Sequence, residues 1–92
     1  MNIQRVMKAI SDSKRRAILS LLKAKSLSAG EIASNFDIST AAISRHFSVL
    51  QDAQLVETKR KGKNIIYSLN ISLVEEMLIF INSIFSKDNI NI

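Results

Sequence analysis

Apolar residues recur at helical spacing in several separate stretches of the chain. The first stretch carries one apolar stripe, which predicts a helix over residues 2–10. The members of this stripe are Ile3, Val6, Met7 and Ile10. A second helix is predicted after the polar residues SDS, where Asp12 or Ser13 can cap it. Its predicted buried face consists of Ala17, Ile18, Leu21 and Leu22.

The next two predicted helices are closely linked. Ser28 and Glu31 have the spacing of a capping box, which predicts a third helix of about eight residues. Its inner face holds Ile32, Ala33 and Phe36. Ser39 then caps a fourth helix, whose core side holds Ile43, Phe47 and Leu50. Because a link of about three residues joins them, the two helices must cross steeply, as in a helix-turn-helix.

The opposite side of the fourth helix is predicted to be small and polar. It presents Thr40, Ala41, Ser44, Arg45 and Ser48. All but Arg45 are short, so the helix backbone can approach the floor of a DNA groove. Arg45 suits a guanine edge or a phosphate, Ser44 and Thr40 suit base edges or phosphates, and the Ala41 methyl suits thymine. An ordinary surface helix with small residues would show the same pattern, so this helix does not decide the function alone.

Residues 56–61 and 64–69 are β-prone runs separated by a turn that contains Gly62, which predicts a hairpin. Tyr67 and Leu69 are expected to turn back onto the core. The tip concentrates four cations, namely Lys59, Arg60, Lys61 and Lys63. Protection of a solvated strand edge by lysines explains part of this charge. Four cations at one tip exceed that need and favour contact with a polyanion.

The last predicted helix, Ser72 to Ser86, has two apolar faces, which is more than the core of so small a domain needs. One face holds Leu73, Met77, Phe80 and Ile84, and the other holds Val74, Leu78, Ile81 and Phe85. A second copy of the chain is the favoured cover, with Ile3, Val6 and Met7 of the first helix in the same seam. Attachment to a membrane surface is the alternative, although Glu75 and Glu76 stand where an interfacial helix usually carries lysines. The tail, residues 87–92, is expected to fray.

Composition limits the remaining choices. The 92 residues are predicted to form one domain, 1–92, with a modest core. Residues 1–70 carry a net charge of +7, which favours a polyanionic partner without separating DNA from RNA or an anionic membrane. No cysteine is present and no stretch reaches the roughly 18 apolar residues of a transmembrane helix, so we expect a cytoplasmic protein without membrane insertion.

Candidate chemistry beyond DNA contact is sparse. Lys14, Arg15 and Arg16 fall in the first turn of the second helix, where each cation opposes the helix dipole by about 0.3–1 kcal/mol. A phosphate would relieve this cost, and a solvated basic turn is the alternative. His46, the only histidine, suits packing or a phosphate hydrogen bond. We expect no metal, no cofactor and no catalytic site, since neither further ligands nor a nucleophile turn accompany it.

Together these segments predict a winged helix-turn-helix, mainly α with a β-hairpin, in the order ααααββα. The stretches KAISDSKRRAILSLL, SAGEIASNFDIS and SRHFSVLQDAQLVETKRKGKNIIYSL, with the terminal apolar helix, resemble the ArsR family of bacterial winged-helix repressors over nearly the whole chain. The resemblance implies a homodimer through the first and last helices that binds double-stranded DNA. It places the fourth helix, including Ser39 and His46, in the major groove and the basic tip on the backbone or minor groove.

This chain departs from the metal-responsive members of that family. Those members use cysteines on the third helix, or His and carboxylate clusters on the last helix, and this chain has neither. It therefore resembles the SdpR-like subset without metal ligands, in which any inducer is a protein, a small molecule or nothing. The expected function is a repressor at an inverted repeat. The alternative is a winged-helix module whose basic tip docks an acidic protein without specific DNA binding.

Overall fold

The computed structural model describes residues 1–86, so the expected fraying of the tail lies outside the described residues. Two helices open the chain, α1 (Ile3–Ile10) and α2 (Ser13–Ala24). Asn2 caps α1 by accepting a hydrogen bond from the Arg5 N–H at 3.1 Å. Asp12, and not Ser13, caps α2, because its carboxylate accepts from two N–H groups of the first turn.

A strand of two residues, β1 (Leu27–Ser28), follows α2 and was not predicted. The capping box is confirmed, because Ser28 and Glu31 each accept a hydrogen bond from the other's backbone N–H. The helix that it starts, α3 (Ala29–Ala33), is shorter than the sequence predicted. Ser34 Oγ and Asn35 Nδ2 both donate to the carbonyl of Glu31, at 2.8 and 2.9 Å. Side-chain donors thus take the acceptor that a longer helix would use.

The fourth helix, α4 (Thr40–Asp52), starts at the Ser39 cap as predicted. It ends in a Schellman motif: the Leu55 N–H donates to the Leu50 carbonyl, and the Gln54 N–H donates to the Gln51 carbonyl. Gln54 takes the left-handed position of this motif, with φ +62°. Leu50 and Leu55 are both buried beneath the turn. The helix therefore ends at a fixed point, from which the chain enters the sheet.

The predicted hairpin is confirmed as β2 (Val56–Lys61) and β3 (Asn64–Leu69). Gly62 has φ +63° at the first of the two turn residues, a position that most other residues avoid. The antiparallel sheet has the order β1-β3-β2, with Leu27 opposite Tyr67. The sheet thus has one strand more than the hairpin.

The last helix, α5 (Ile71–Phe85), begins one residue before the predicted first residue, Ser72, because Asn70 is its N-cap. The Asn70 side chain accepts from the Leu73 N–H and donates to the Gln54 carbonyl at 2.9 Å. Asn70 therefore ties the start of α5 to the end of α4. None of the helices in the described part of the chain is long and apolar enough to cross a membrane.

The core lies between the helices and the inner face of the sheet. It contains the predicted inner residues of α4, and Phe47 stacks on Tyr67 with ring centroids 4.3 Å apart. Leu69 packs against this core, so both predicted hairpin anchors are confirmed. Ala17, predicted to be buried, is exposed on the outer side of α2. Val6 and Leu73, expected in the dimer interface, are 0% and 4% exposed, so they are core residues with almost no surface to offer a partner.

Candidate nucleic-acid interface

The outer face of α4 is exposed as the sequence predicted. Its exposed residues are Thr40, Ala41, Ser44, Arg45 and Ser48. The buried residues Ile43, Phe47 and Leu50 hold the opposite side of the same helix, so packing sets which side faces outward. Arg45 makes no salt bridge or hydrogen bond within residues 1–86, which leaves its guanidinium available to an external anion. The outer face of α4 therefore carries short side chains and one long cationic side chain, that of Arg45.

The hairpin tip forms the second basic element, which we call the wing: Lys59, Arg60, Lys61 and Lys63. All four side chains are exposed. Arg60 Nε donates to the Gly62 carbonyl at 3.3 Å, which holds this side chain against the turn. No carboxylate pairs with the wing in the part of the chain that the structure describes. Its positive charge is therefore uncompensated locally and suits a polyanion.

The basic first turn of α2 has a partner that neither sequence interpretation anticipated. Arg15 donates through Nε to the Ala9 carbonyl at 2.8 Å and through Nη2 to the Lys8 carbonyl at 2.9 Å. Arg16 Nη1 donates to the Ile10 carbonyl at 2.7 Å. These carbonyls form the C-terminal end of α1, where cations are favourable. Cations that oppose the dipole of α2 thus complement the dipole of α1.

Asp12, the N-cap of α2, interacts with two residues of this basic turn, Lys14 and Arg15. The backbone N–H groups of Arg15 and Lys14, which donate to Asp12, together with the nearby positive charge of Arg15, hold the pKa of Asp12 below its ordinary value. The Lys14 ammonium makes no hydrogen bond or salt bridge within residues 1–86. Of the three basic residues of this turn, Lys14 is therefore the one with all its side-chain donors open to a phosphate.

His46 links the basic turn of α2 to α4, the helix with the exposed outer face. It is half-buried in α4, next to exposed Arg45, and its Nδ1 lies 3.3 Å from Arg15 Nη1. The sequence left packing and a phosphate hydrogen bond open for His46, and its partial burial is compatible with both. The contact to Arg15 was not predicted, because 31 positions separate the two residues and no local pattern joins them.

The acidic residues of α5 are partly engaged. The Glu76 carboxylate lies 3.4 Å from the N-terminal ammonium of Met1. Within residues 1–86, no three or more His, Cys, Asp or Glu side chains converge on a point where they could hold a metal ion. The candidate interface thus consists of exposed residues of α4, the basic turn of α2 and the wing.

Comparison with known proteins gives this surface its context. Residues 12–58 match the family model described as "Bacterial regulatory protein, arsR family". The chain is 47% identical over 81 residues to the transcriptional repressor SdpR of Bacillus subtilis (strain 168), which covers 84% of this chain and 90% of that protein. It is 29% identical over 84 residues to the transcriptional activator HlyU of Vibrio cholerae, covering 91% of this chain and 78% of HlyU.

Solved structures show the same likeness. An ArsR-like transcriptional regulator from Rhodococcus sp. RHA1 superposes with a TM-score of 0.86 at 27% identity, covering 97% of this chain and 82% of that one. The fold is the predicted winged helix-turn-helix, with β1 as an addition to the predicted order. The chain therefore belongs to the ArsR family of bacterial regulatory proteins and is a DNA-binding transcriptional regulator, not an enzyme.

Proposed function

We propose that the chain is a homodimeric repressor that binds an inverted-repeat operator and blocks access to a promoter. The observation that carries this proposal is that α4 exposes a face of short side chains and that the wing is basic and exposed, with no carboxylate paired to it within residues 1–86. In this proposal α4 enters the major groove, where Arg45 reads a guanine edge or binds a phosphate. Ser39, Thr40, Ala41, Ser44, His46 and Ser48 complete the DNA-facing set on α4. The wing, with Lys14 and Arg16, contacts phosphates.

The proposed dimer seam runs along α5. Ile71, Val74, Leu78, Ile81 and Phe85 follow one another at alternating spacings of three and four, the repeat of a two-helix seam. Ile71, Leu78 and Phe85 are 55%, 59% and 76% exposed, which is unusual for large apolar side chains in one row. A second α5 related by a two-fold axis would cover this row. Ile71 was missed by sequence analysis because the helix was predicted to begin after it.

Residues beside the seam extend the proposed interface. Met7 of α1 is 40% exposed, and Ile84 near the end of α5 is 53% exposed although it lies on the side of Leu73 and Met77. Exposure of apolar groups on both sides of the last turns supports a partner that wraps the end of α5. Ile3 is half-buried and Met77 packs partly against the core, so both would contribute at the margin.

We further propose that regulation does not use a metal. The whole chain has no cysteine and one histidine, and that histidine is already engaged with Arg15. An inducer would then be a small molecule or a protein, or none would exist. A cytoplasmic location, on the nucleoid when bound to an operator, follows from the proposed DNA partner.

Footprinting and a salt series on the upstream DNA of its own gene test this function. Two recognition helices should protect half-sites about 34 Å apart, one helical turn, or a multiple of it. If about six phosphates are neutralised, affinity should fall about 10³-fold or more between about 50 and 200 mM salt. A reporter fused to the protected promoter should rise when the gene is deleted. Protection without dyad symmetry would contradict the dimeric arrangement, and absence of binding to any genomic fragment would favour a protein-docking module.

Two single substitutions separate base reading from charge attraction. Arg45→Ala should weaken specific binding by about 1–3 kcal/mol and affect random duplex less, because a base contact is lost. Lys61→Ala should lower binding to both duplexes by a similar factor and reduce the salt slope by about one. Both side chains are exposed, so neither change should disturb folding. Equal losses on both duplexes for Arg45→Ala would refute its base-reading role.

A further inference from the structure

The Arg15 guanidinium joins three helices at one point. It is part of α2, it donates to two carbonyls at the end of α1, and its Nη1 lies 3.3 Å from His46 Nδ1 in α4. The two hydrogen bonds to α1, at 2.8 and 2.9 Å, fix the plane of the guanidinium independently of its contact to His46. His46 therefore meets a donor whose position is set elsewhere in the fold.

The direction of this hydrogen bond fixes the proton on His46. A guanidinium has only N–H donors and stays protonated at any physiological pH, so Arg15 must donate and Nδ1 must accept. An accepting Nδ1 carries no proton. The neutral ring then carries its proton on Nε2, which makes Nε2 a hydrogen-bond donor.

The free donor lies in a positively charged setting. Nε2 of His46 has no hydrogen-bond partner within residues 1–86, while the ring is half-buried beside exposed Arg45. Lys14 lies at the first turn of α2, next to Arg15. Arg15 bonds the ring and Arg45 precedes His46 in α4, so an approaching anion is attracted despite the nearby carboxylate of Asp12. A phosphate oxygen of the duplex is the anion that the proposed docking brings here.

We propose that Arg15 is a positioning residue that holds His46 in its Nε2–H tautomer, so that His46 donates to a DNA phosphate as a neutral side chain. This inference rests on the proposed function and adds the tautomer, the direction of the hydrogen bond and the residue that sets them. The same guanidinium links α1, whose Met7 lies beside the proposed dimer seam, to α4.

Nitrogen NMR of the imidazole tests the first half of the proposal on the free protein. His46 is the only histidine, so two-bond correlations from its ring protons to the ring nitrogens need no assignment. Wild type should show an unprotonated Nδ1 and a protonated Nε2 near neutral pH. Arg15→Met should lose this preference. Arg16→Met, which removes a neighbouring guanidinium that bonds the Ile10 carbonyl and has no contact to His46 within residues 1–86, should keep it. A protonated Nδ1 in wild type, or a tautomer unchanged by Arg15→Met, would overturn the assignment.

Two amide substitutions test the phosphate contact. The Asn amide overlaps Nδ1 of histidine and the Gln amide overlaps Nε2, so His46→Asn keeps an acceptor for Arg15 while His46→Gln keeps a donor at the position of Nε2. We expect His46→Asn to lose about tenfold in affinity on specific and random duplexes alike, and His46→Gln to lose about threefold or less. Circular dichroism of both variants checks that they fold. A greater loss for His46→Gln than for His46→Asn would contradict the proposal.

Salt dependence distinguishes a neutral donor from an imidazolium. A neutral donor releases no counterion, so His46→Asn should keep the wild-type slope of log affinity against log salt. If His46 were an imidazolium, its replacement by Asn would reduce the magnitude of that slope by about 0.9 for each phosphate that it had neutralised. Such a lower slope would refute the neutral form. If the wild type binds duplex DNA and His46→Asn binds with the same affinity, the His46 contact is refuted and the proposed function stands. If the wild type binds no duplex, the contact and the proposed function are refuted together.

Discussion

Replacing Leu78 by lysine tests the proposed seam where its magnitude can be worked out. Burying a leucine side chain completely contributes about 1.5–3 kcal/mol. Leu78 is 59% exposed in the protomer, so covering that part would contribute about 0.9–1.8 kcal/mol. A two-fold axis places the residue in the interface twice, which gives about 2–3.5 kcal/mol for the dimer. Loss of this term alone should raise the dimer dissociation constant about 30- to 300-fold.

Sedimentation equilibrium over a concentration series measures that constant directly. The two lysines of Leu78→Lys would also repel each other, so the calculated range is a lower limit. Ile65→Lys is the matched control, because it replaces a 39% exposed apolar residue of β3, outside the seam. We expect the control to keep the wild-type constant. A monomeric wild type, or equal constants for Leu78→Lys and wild type, would refute the seam.

Three further predictions concern the fold that carries the site. Phe47→Ala should lower the free energy of unfolding in urea by about 3–5 kcal/mol, since the ring is 4% exposed and stacked on a tyrosine; a loss below about 1 kcal/mol would contradict its core role. Gln54→Gly should raise that free energy by about 0.5–1 kcal/mol because φ is +62°, while Gln51→Gly inside α4 should lower it by about 1 kcal/mol; thermal melts that rank the two variants in the other order would refute this. Hydrogen bonds hold the pKa values of Asp12 and Glu31 below their ordinary values, so their stabilisation is present above about pH 4 and is lost as pH falls through the lowered values. Asp12→Asn keeps a cap and should flatten this acid dependence, and an unchanged dependence would argue against the Asp12 contribution.

Local chemistry made several elements predictable. The capping box at Ser28 and Glu31 and the cap at Ser39 use contacts within three residues, so the sequence alone specifies them. The hairpin has the predicted bounds because Gly62 fixes its turn and the turn fixes the register. The exposed face of α4 followed from the spacing of its buried residues.

Contacts between distant segments account for what sequence analysis missed. Strand β1 has two residues, too few to show a pattern, and exists because Leu27 lies opposite Tyr67. The start of α5 depends on Asn70, whose side chain also bonds Gln54, 16 positions away. Val6 and Leu73 share helical stripes with exposed residues, so periodicity could not separate core from interface.

The sequence by itself determined the order of helices and hairpin, the caps that begin them and the concentration of cations at the wing, because each depends on neighbours within one or two turns. Only the tertiary structure decided what the cations of α2 bond to. Arg15 and Arg16 reach carbonyls six or seven positions back in α1, and Arg15 reaches His46 across 31 positions. Such contacts form only where packing brings separate helices together, and no periodicity along the chain records that meeting.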